Sequence, residues 1–398
     1  MAGDRGEVKA RRGGLRTKAE HAVPLTVSFV ALNIGARGGV PRYATALARA
    51  LDELSVGYPS LHLSLLTTPR GAELADLRHL RVETAKTRLA LAPRGPSRVL
   101  AEQLALRGQR SELLYFFDLS GPLLAPRRPF IATIHDFSFL HGYSRFRHAY
   151  RRLLTPWAVR RATKLVAISN FAKEEAIRLA SARAEAIEVI HSGPGFVRPD
   201  SAVNRAEADP APSDSGRPQL LYVGDLTASK NVGTIVRAYG QTSSTASLVL
   251  AGRPGERFSE LDDLIQSSPR RADIAVLTDA SDEQLERLYA RAHALLLPSY
   301  YEGFGFTALE AMTRGCPVLE SDIPALREVS GSGAMLLPPD DVHAWAEAMS
   351  RVTTDAALRE GLRSAGFETA ARYSWEETGR RVLELLLRVH APPSIATS

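Results

Sequence analysis

A single cysteine, Cys316, stands in 398 residues. No intrachain disulfide can form, and a reducing compartment is expected. Cys316 lies in "RGCPVLESD", beside a proline and ahead of an apolar run, where a free cysteine serves as a small buried residue rather than a nucleophile. No apolar run reaches the ~18–20 residues a membrane-spanning helix needs. The first twenty residues carry charge and glycine but no apolar core, which does not fit a secretory signal. They read as a flexible basic arm, solvated rather than bound to an anionic surface. Zinc-type Cys/His spacing, an RNA-binding aromatic signature and a long basic heptad helix are all missing, so no nucleic-acid partner is expected. An Asp-x-Asp pattern of the kind that holds a divalent metal is missing too, and neither a metal nor another cofactor is expected.

The composition is that of an ordinary soluble globular protein, and the net charge of +6 is modest for the length. The length calls for two domains. "LTVSFVALN" reads as a β-branched strand, "IGARGGVPRY" as a glycine loop and "ATALARALDEL" as an amphipathic helix, which together open a βαβ unit. "LHLSLLTT", "ELLYFFD" and "FIATIHD" continue as strands. "ATKLVAISNFAKEEAIRLA" reads as strand, turn and helix with Ser169 or Asn170 as cap, and "AIEVIHSG" closes the series. Residues 198–218 are dense in Pro, Ala, Ser and Asp, a linker signature, and beyond them the alternation of strand and helix restarts. The expected organisation is a basic arm (1–22), an N-terminal α/β domain (23–197), a linker (198–218), a second α/β domain (219–375) and a last helix with tail (376–398) returning towards the first domain. Both domains read as doubly wound Rossmann-like sheets. Ligands in such sheets bind outside the carboxyl ends of strands, and a tandem pair would use the cleft between its domains.

One stretch carries most of the chemistry. In "YYEGFGFTALE", Glu302 and Glu310 have seven residues between them and follow the apolar strand "ALLLPS". Glu302 then lies in the loop at a strand's carboxyl end. The glycines let backbone approach a ligand closely. A helix opening near Thr307 offers free amides and a positive dipole end to a phosphate. Glu310, three residues further, can face the same side. A carboxylate accepts hydrogen bonds from two neighbouring hydroxyls, so the stretch suits a sugar, a diphosphate and a nucleoside along one edge. Residues 141–164 hold many arginines and no acid; they read first as a solvated face, and second as an acceptor or membrane-surface patch.

Framed as "PSYYEGFGFTALEAMTRGCPVLESDIPALREV", the two glutamates resemble the retaining glycosyltransferases of family 4, which have the GT-B fold. "GGVPRY", "TIHDFSFL", "VAISNFAKEEAI", "VIHSGPG", "LLYVGDLTASKN" and "PALREVSGSGAMLLPPDDVHAWAEAM" resemble that family's other segments in order. The resemblance implies that Glu310 holds the ribose hydroxyls of a nucleotide. It implies that Glu302 contacts the donor sugar with the Gly303-Phe304-Gly305 backbone and Thr307. Lys230 would neutralise the departing diphosphate, with Gly38 and Gly39 adding backbone amides, and His135 would reach the reacting edge. Arg42, Tyr43 and Asp136 are the acceptor candidates, and Asp136 serves equally well to orient His135 or cap a turn. Family members commonly carry an arginine beside the lysine of the diphosphate loop; here Asp225 and Ser229 stand in that loop, and Arg253 in "LAGRPG" is the candidate substitute. The partners implied are a nucleoside-diphosphate sugar and an acceptor hydroxyl on a bacterial metabolite or glycan. The implied location is cytoplasmic, with at most peripheral contact to an anionic membrane face. The alternatives are a non-catalytic nucleotide-binding GT-B partner and a GT-B nucleotide-sugar epimerase. Nothing in the sequence names the donor, the acceptor or the oligomeric state.

Overall fold

The computed structural model describes residues 24–34, 38–69, 71–72, 76–85, 96–123, 127–140, 149–195 and 217–390. The expected arm, residues 198–216 of the expected linker and residues 141–148 of the arginine-rich stretch lie outside the described residues.

In chain order the regular elements begin with β1 (Leu25–Val30), α1 (Gly39–Ser55), β2 (Leu61–Thr67), β3 (Arg81–Thr84), α2 (Pro96–Leu106), β4 (Leu113–Phe116) and β5 (Phe130–Ile134). They continue with α3 (Ala149–Arg161), β6 (Lys164–Ala167), α4 (Asn170–Ala180), β7 (Ile187–Val189), β8 (Gln219–Val223), α5 (Val232–Gln241), β9 (Ser247–Ala251) and α6 (Phe258–Gln266). The series ends with β10 (Ile274–Leu277), α7 (Asp282–Arg291), β11 (Ala294–Leu297), α8 (Phe306–Thr313), β12 (Val318–Ser321), α9 (Pro324–Ser330), β13 (Met335–Leu337), α10 (Val342–Thr354), α11 (Ala356–Ala370) and α12 (Trp375–His390).

Two sheets result, ordered β3-β2-β1-β4-β5-β6-β7 and β10-β9-β8-β11-β12-β13. Their ladders are parallel, for example Leu25 to Val30 beside Leu61 to Leu66, and Gln219 to Val223 beside Ser247 to Ala251. Parallel strands are covered on both faces, which is why β4, β5 and β11 are buried throughout and read as unbroken apolar runs. This is the doubly wound α/β architecture the sequence pointed to.

Packing divides the chain into two compact units, one of residues 1–132, 161–164 and 379–398, the other of residues 133–160 and 165–378. In the first unit α1 turns Tyr43, Leu47, Ala50 and Leu51 inward at helical spacing. Gly379 of α12 lies against the same helix, where an added Cβ would stand 2.9 Å from Leu54. In the second unit Leu220, Tyr222, Leu248 and Leu296 of the sheet pack with Ile235, Tyr239, Trp345 and Met349 of α5 and α10 in one core.

Local chemistry sets several boundaries. Ser169 caps α4 by accepting from Ala172 N–H, so of the two expected candidates the serine does it. Ser281 and Gln284 form a reciprocal capping box at α7. The first strand ends at Val30, three residues short of the end of "LTVSFVALN", the stretch that reads as strand. Short or polar elements left no periodic signal: β3 is "RVET", with neither end buried, and β13 has only three residues.

Candidate active site

Within the second unit, β8, β9 and β11 are neighbours in one parallel sheet, so their carboxyl ends lie on one edge. β8 leads into residues 224–231. Ala228–Lys230 form one tight helical turn, and Asn231 ends it in the left-handed region at φ 52°. Asparagine tolerates that conformation, and its side chain bonds outward from Nδ2 to Pro339 C=O at 2.8 Å and inward from Thr234 Oγ1 at 2.8 Å. The turn aims Lys230 at the loop after β11. Lys230 Nζ donates to Glu302 Oε1 at 2.6 Å, and Ser299 Oγ donates to the same oxygen at 2.7 Å. Glu302 Oε2 has no partner among the described residues. The two expected donor contacts therefore face each other, one cation on one carboxylate, both partly open with 25% and 14% of their side chains exposed.

The glycines of the loop have separate tasks. At Gly303 an added Cβ would stand 2.0 Å from the carbonyl oxygen of His135, so the loop lies directly on the end of β5. Ser169 Oγ donates to Gly303 C=O at 2.7 Å and secures that approach. Gly305 caps α8 with φ +103°, a conformation that strains any side chain. Phe304 between them is buried, 5.1 Å from Phe306 and edge-on to Tyr373 at 5.7 Å between ring centres. It anchors the loop and leaves backbone to meet a ligand. The helix starts at Phe306, so Thr307 stands in its first turn as expected.

Glu310 is buried. Tyr289 Oη donates to its Oε2 at 3.0 Å. Its other oxygen abuts the backbone of Gly195, where an added Cβ would come within 1.9 Å. Burial and then the Glu310 charge push the Tyr289 hydroxyl far above its ordinary range, so it remains a fixed donor. Arg314 lies over the Tyr289 ring at 5.2 Å, donates to Glu310 C=O at 2.8 Å and is clamped by Glu286 from α7. Tyr289, Arg314 and Glu286 carry no motif in the sequence; they were missed because each matters only through a contact with another element.

His135 follows the last residue of β5 and is 8% exposed. Tyr301 ties this strand end to the glutamate loop: its hydroxyl accepts from Phe137 N–H at 2.8 Å and donates to the buried Glu175 of α4. Burial, the Asp136 charge and the bond to Glu175 all push that hydroxyl upward, so it too stays protonated. Asp136, an acceptor candidate, also caps the next turn: its Oδ1 accepts from Ser138 N–H at 2.9 Å and Ser138 Oγ at 2.6 Å. Glu328 of α9 accepts from the first amides of α4, Asn170 at 2.7 Å and Phe171 at 3.0 Å, and from His191 Nε2 at 2.9 Å. Burial pushes Glu328 up, but these bonds more than reverse it and leave it below the usual carboxylate range.

Two further buried titratable groups lie in the same unit. Glu320 of β12 is fully buried, and neither of its oxygens finds a hydrogen-bond partner among the described residues. Burial, with the Glu302 charge adding, pushes it up to about 8 against the nearby Ser330 hydroxyl. Cys316 is buried, and burial pushes its thiol up to about 12, in keeping with a packing role.

The remaining expected residues belong to the first unit. Gly38 is the N-cap of α1 with φ +127°, and Gly39 opens that helix. Arg42 is half-buried one turn on. Tyr43, expected to meet an acceptor, is a core residue: it is 1% exposed and its ring stands edge-on to Phe117 at 6.2 Å. The correction follows from helical spacing, which puts Tyr43 on the same face as Leu47 and Ala50. Arg253 is bound to Asp225, the residue that stood in place of an expected cation.

Residues 37–193 match the model of Glycosyltransferase Family 4, and residues 204–369 match that of Glycosyl transferases group 1. An O-antigen chain mannosyltransferase B from Escherichia coli is 29% identical over 260 residues, 62% of this chain and 67% of that protein. Matched stretches span from about half to two thirds of the curated relatives' own lengths. Among solved structures, a sucrose-phosphate synthase from Thermosynechococcus elongatus covers 92% of this chain and 99% of its own at 21% identity, with a TM-score of 0.73. The Anabaena protein HepE in complex with UDP and glucose covers 91% and 99% at 19% identity, with a TM-score of 0.67.

Proposed function

We propose that this chain, which belongs to the family 4 glycosyltransferases and has their GT-B fold, moves a hexose or deoxyhexose from a nucleoside-diphosphate sugar to an acceptor hydroxyl with retention of configuration. The observation that carries the reading is the pairing of Lys230 with Glu302 at the mouth of the loop that opens α8. A cation, a carboxylate with one unpartnered oxygen and a set of helix N-terminal amides are what a sugar diphosphate needs at its reacting end. The complex of HepE with UDP and glucose, a structure of the same fold, supports a nucleotide-sugar donor.

In this reading Glu310, fixed by Tyr289, accepts hydrogen bonds from the ribose hydroxyls. The amides of Phe304 and Gly305 and the first turn of α8 meet the phosphates. Lys230 moves from Glu302 to the phosphate oxygens as negative charge develops there, and Glu302, so released, accepts from sugar hydroxyls. His135 lies at the reacting edge. The acceptor oxygen attacks from the face the diphosphate leaves. The bond from the anomeric carbon to the phosphate oxygen breaks as the new glycosidic bond forms, and the departing phosphate takes the acceptor's proton. No divalent metal takes part, so chelation should leave the rate unchanged. The enzyme acts on a metabolite or glycan of bacterial type, at the membrane face or away from it; no described helix is long and apolar enough to cross a membrane.

The test is nucleoside diphosphate release from UDP-, GDP-, TDP- and ADP-sugars by the wild type and by Glu310→Ala. Release from one donor that the variant loses is the expected result, and product anomers by NMR then report retention or inversion. Binding without release from any donor, with acceptor extracts present, would leave a nucleotide-binding protein instead.

A further inference from the structure

Two short loops leave neighbouring strands side by side. Residues 224–227 follow β8 and residues 252–255 follow β9. They stay paired beyond the sheet: Leu226 N–H donates to Arg253 C=O at 2.8 Å, and Gly255 N–H donates to Leu226 C=O at 3.1 Å. Gly252 lies so close that an added Cβ would stand 1.7 Å from the carbonyl oxygen of Gly224. From beneath, the buried Tyr222 hydroxyl donates to Asp225 C=O at 2.9 Å. The backbone at residues 225 and 253 is therefore held in place.

From these loops Arg253 meets Asp225 side-on. Nε donates to Oδ1 at 3.0 Å, and Nη2 donates to Oδ1 at 2.9 Å and to Oδ2 at 3.2 Å. Nη1 has no partner among the described residues. A guanidinium presents five N–H donors in one plane. The side-on pair fixes that plane and leaves the far edge of the fork open, with 33% of the arginine side chain exposed. The same 224–231 loop carries Lys230, its only cation. Burial, and then the charges of Glu302 and Asp225, one from each ion pair, raise the pKa of Tyr222.

We propose that Arg253 is a second cation for the donor's diphosphate, supplied by the loop after β9, and that Asp225 is the positioning residue that aims it. The proposal rests on the nucleotide-sugar reading of the site. A planar fork with two N–H groups free can take phosphate oxygens in a way the point charge of Lys230 does not. Asp225 subtracts charge from the site but orients the fork before a ligand arrives.

The experiment is calorimetric titration of inorganic pyrophosphate, of UDP, GDP, TDP and ADP, and of the matching nucleosides. The proteins are wild type, Arg253→Ala, Arg253→Lys, Asp225→Asn and the reciprocal exchange Asp225→Arg with Arg253→Asp. Thermal melting checks that each is folded. For the nucleoside diphosphate that wild type binds, Arg253→Ala should weaken affinity about tenfold and leave the nucleoside unchanged. Arg253→Lys should recover part of the loss. Asp225→Asn should cost about threefold, since the fork loses its charged hold. The reciprocal exchange should return affinity to near the wild-type value. Unchanged diphosphate affinity in Arg253→Ala would overturn the proposal and leave the pair as a clasp between loops. Equal loss of nucleoside and diphosphate would overturn it as loop damage. Unchanged affinity in Asp225→Asn would remove the positioning role. Wild type that binds none of the four would sink the nucleotide-sugar reading and the proposal with it, a result distinct from failure of Arg253 alone.

Discussion

The two glutamates of one motif are housed in opposite ways. Glu302 sits in a loop, shares one oxygen between Lys230 and Ser299 and keeps the other without a partner among the described residues. Glu310 sits in a helix, is 5% exposed, takes a phenol on one oxygen and rests the other against glycine backbone. In the proposed reading the first exchanges partners and the second stays still. A transfer site needs both: a fixed point for the part of the donor that does not react, and an adjustable pair where charge changes during the reaction. The supports differ accordingly. Behind Glu310 stand Tyr289, Arg314 and Glu286 in one clamped stack. Glu302 has no such stack among the described residues; the buried acid whose titration its charge affects is Glu320.

Removing the adjustable cation should have the largest effect. Lys230→Ala should lower kcat by ~10²–10³-fold, the size of a lost charge stabiliser, while nucleoside affinity holds; steady-state kinetics with the accepted donor would read both. Next comes Glu320. Its folded pKa of about 8 exceeds the ordinary carboxylate value, so the folded chain keeps a proton that the unfolded chain releases. That group's contribution to stability falls as pH rises from ~4.3 towards the folded pKa. Glu320→Gln removes the dependence, and should be more stable than wild type by ~2–4 kcal/mol at pH 8, with the gap closing near pH 4. Melting curves across that range would show it.

Smaller effects concern the fixed side. Tyr289→Phe should weaken nucleotide binding about tenfold by freeing Glu310 to move, with kcat at saturating donor little changed. A fall in kcat alone, with affinity intact, would mean that Glu310 does not hold the nucleotide. The smallest is Glu328→Gln. Glu328's folded pKa lies below the ordinary value, so its contribution is present above ~4.3 and is lost as pH falls through the folded pKa. The variant should cost ~1 kcal/mol at pH 7 and progressively less as pH falls below ~4.3 in denaturant titrations.

How much of this was legible follows from where each signal resides. Strand β11, the glycines, Glu302 and Glu310 are contiguous, so their order along the chain carries their geometry. Ser169 was legible as a cap because a cap is a local bond, here to Ala172 three residues on. The stack behind Glu310 was not, because Tyr289 meets it across 21 residues and a helix boundary. Tyr301 reaches Glu175 across 126 residues, a contact no local pattern encodes. Tyr43 was misplaced for a related reason: a residue beside a glycine loop looks available, and only the helical phase from Gly39 turns it inward. Asp225 read as a missing cation, and its pairing with an arginine 28 residues on shows where the positive charge went.

The most direct test of the difference between the two glutamates is a paired measurement on Glu302→Ala and Glu310→Ala: affinity for the product nucleoside diphosphate by calorimetry, and transfer rate at saturating donor. The account predicts that Glu310→Ala loses nucleoside diphosphate affinity by at least ~10-fold, while Glu302→Ala keeps that affinity and loses transfer. Equal loss of affinity in both variants, or intact affinity in Glu310→Ala, would contradict it.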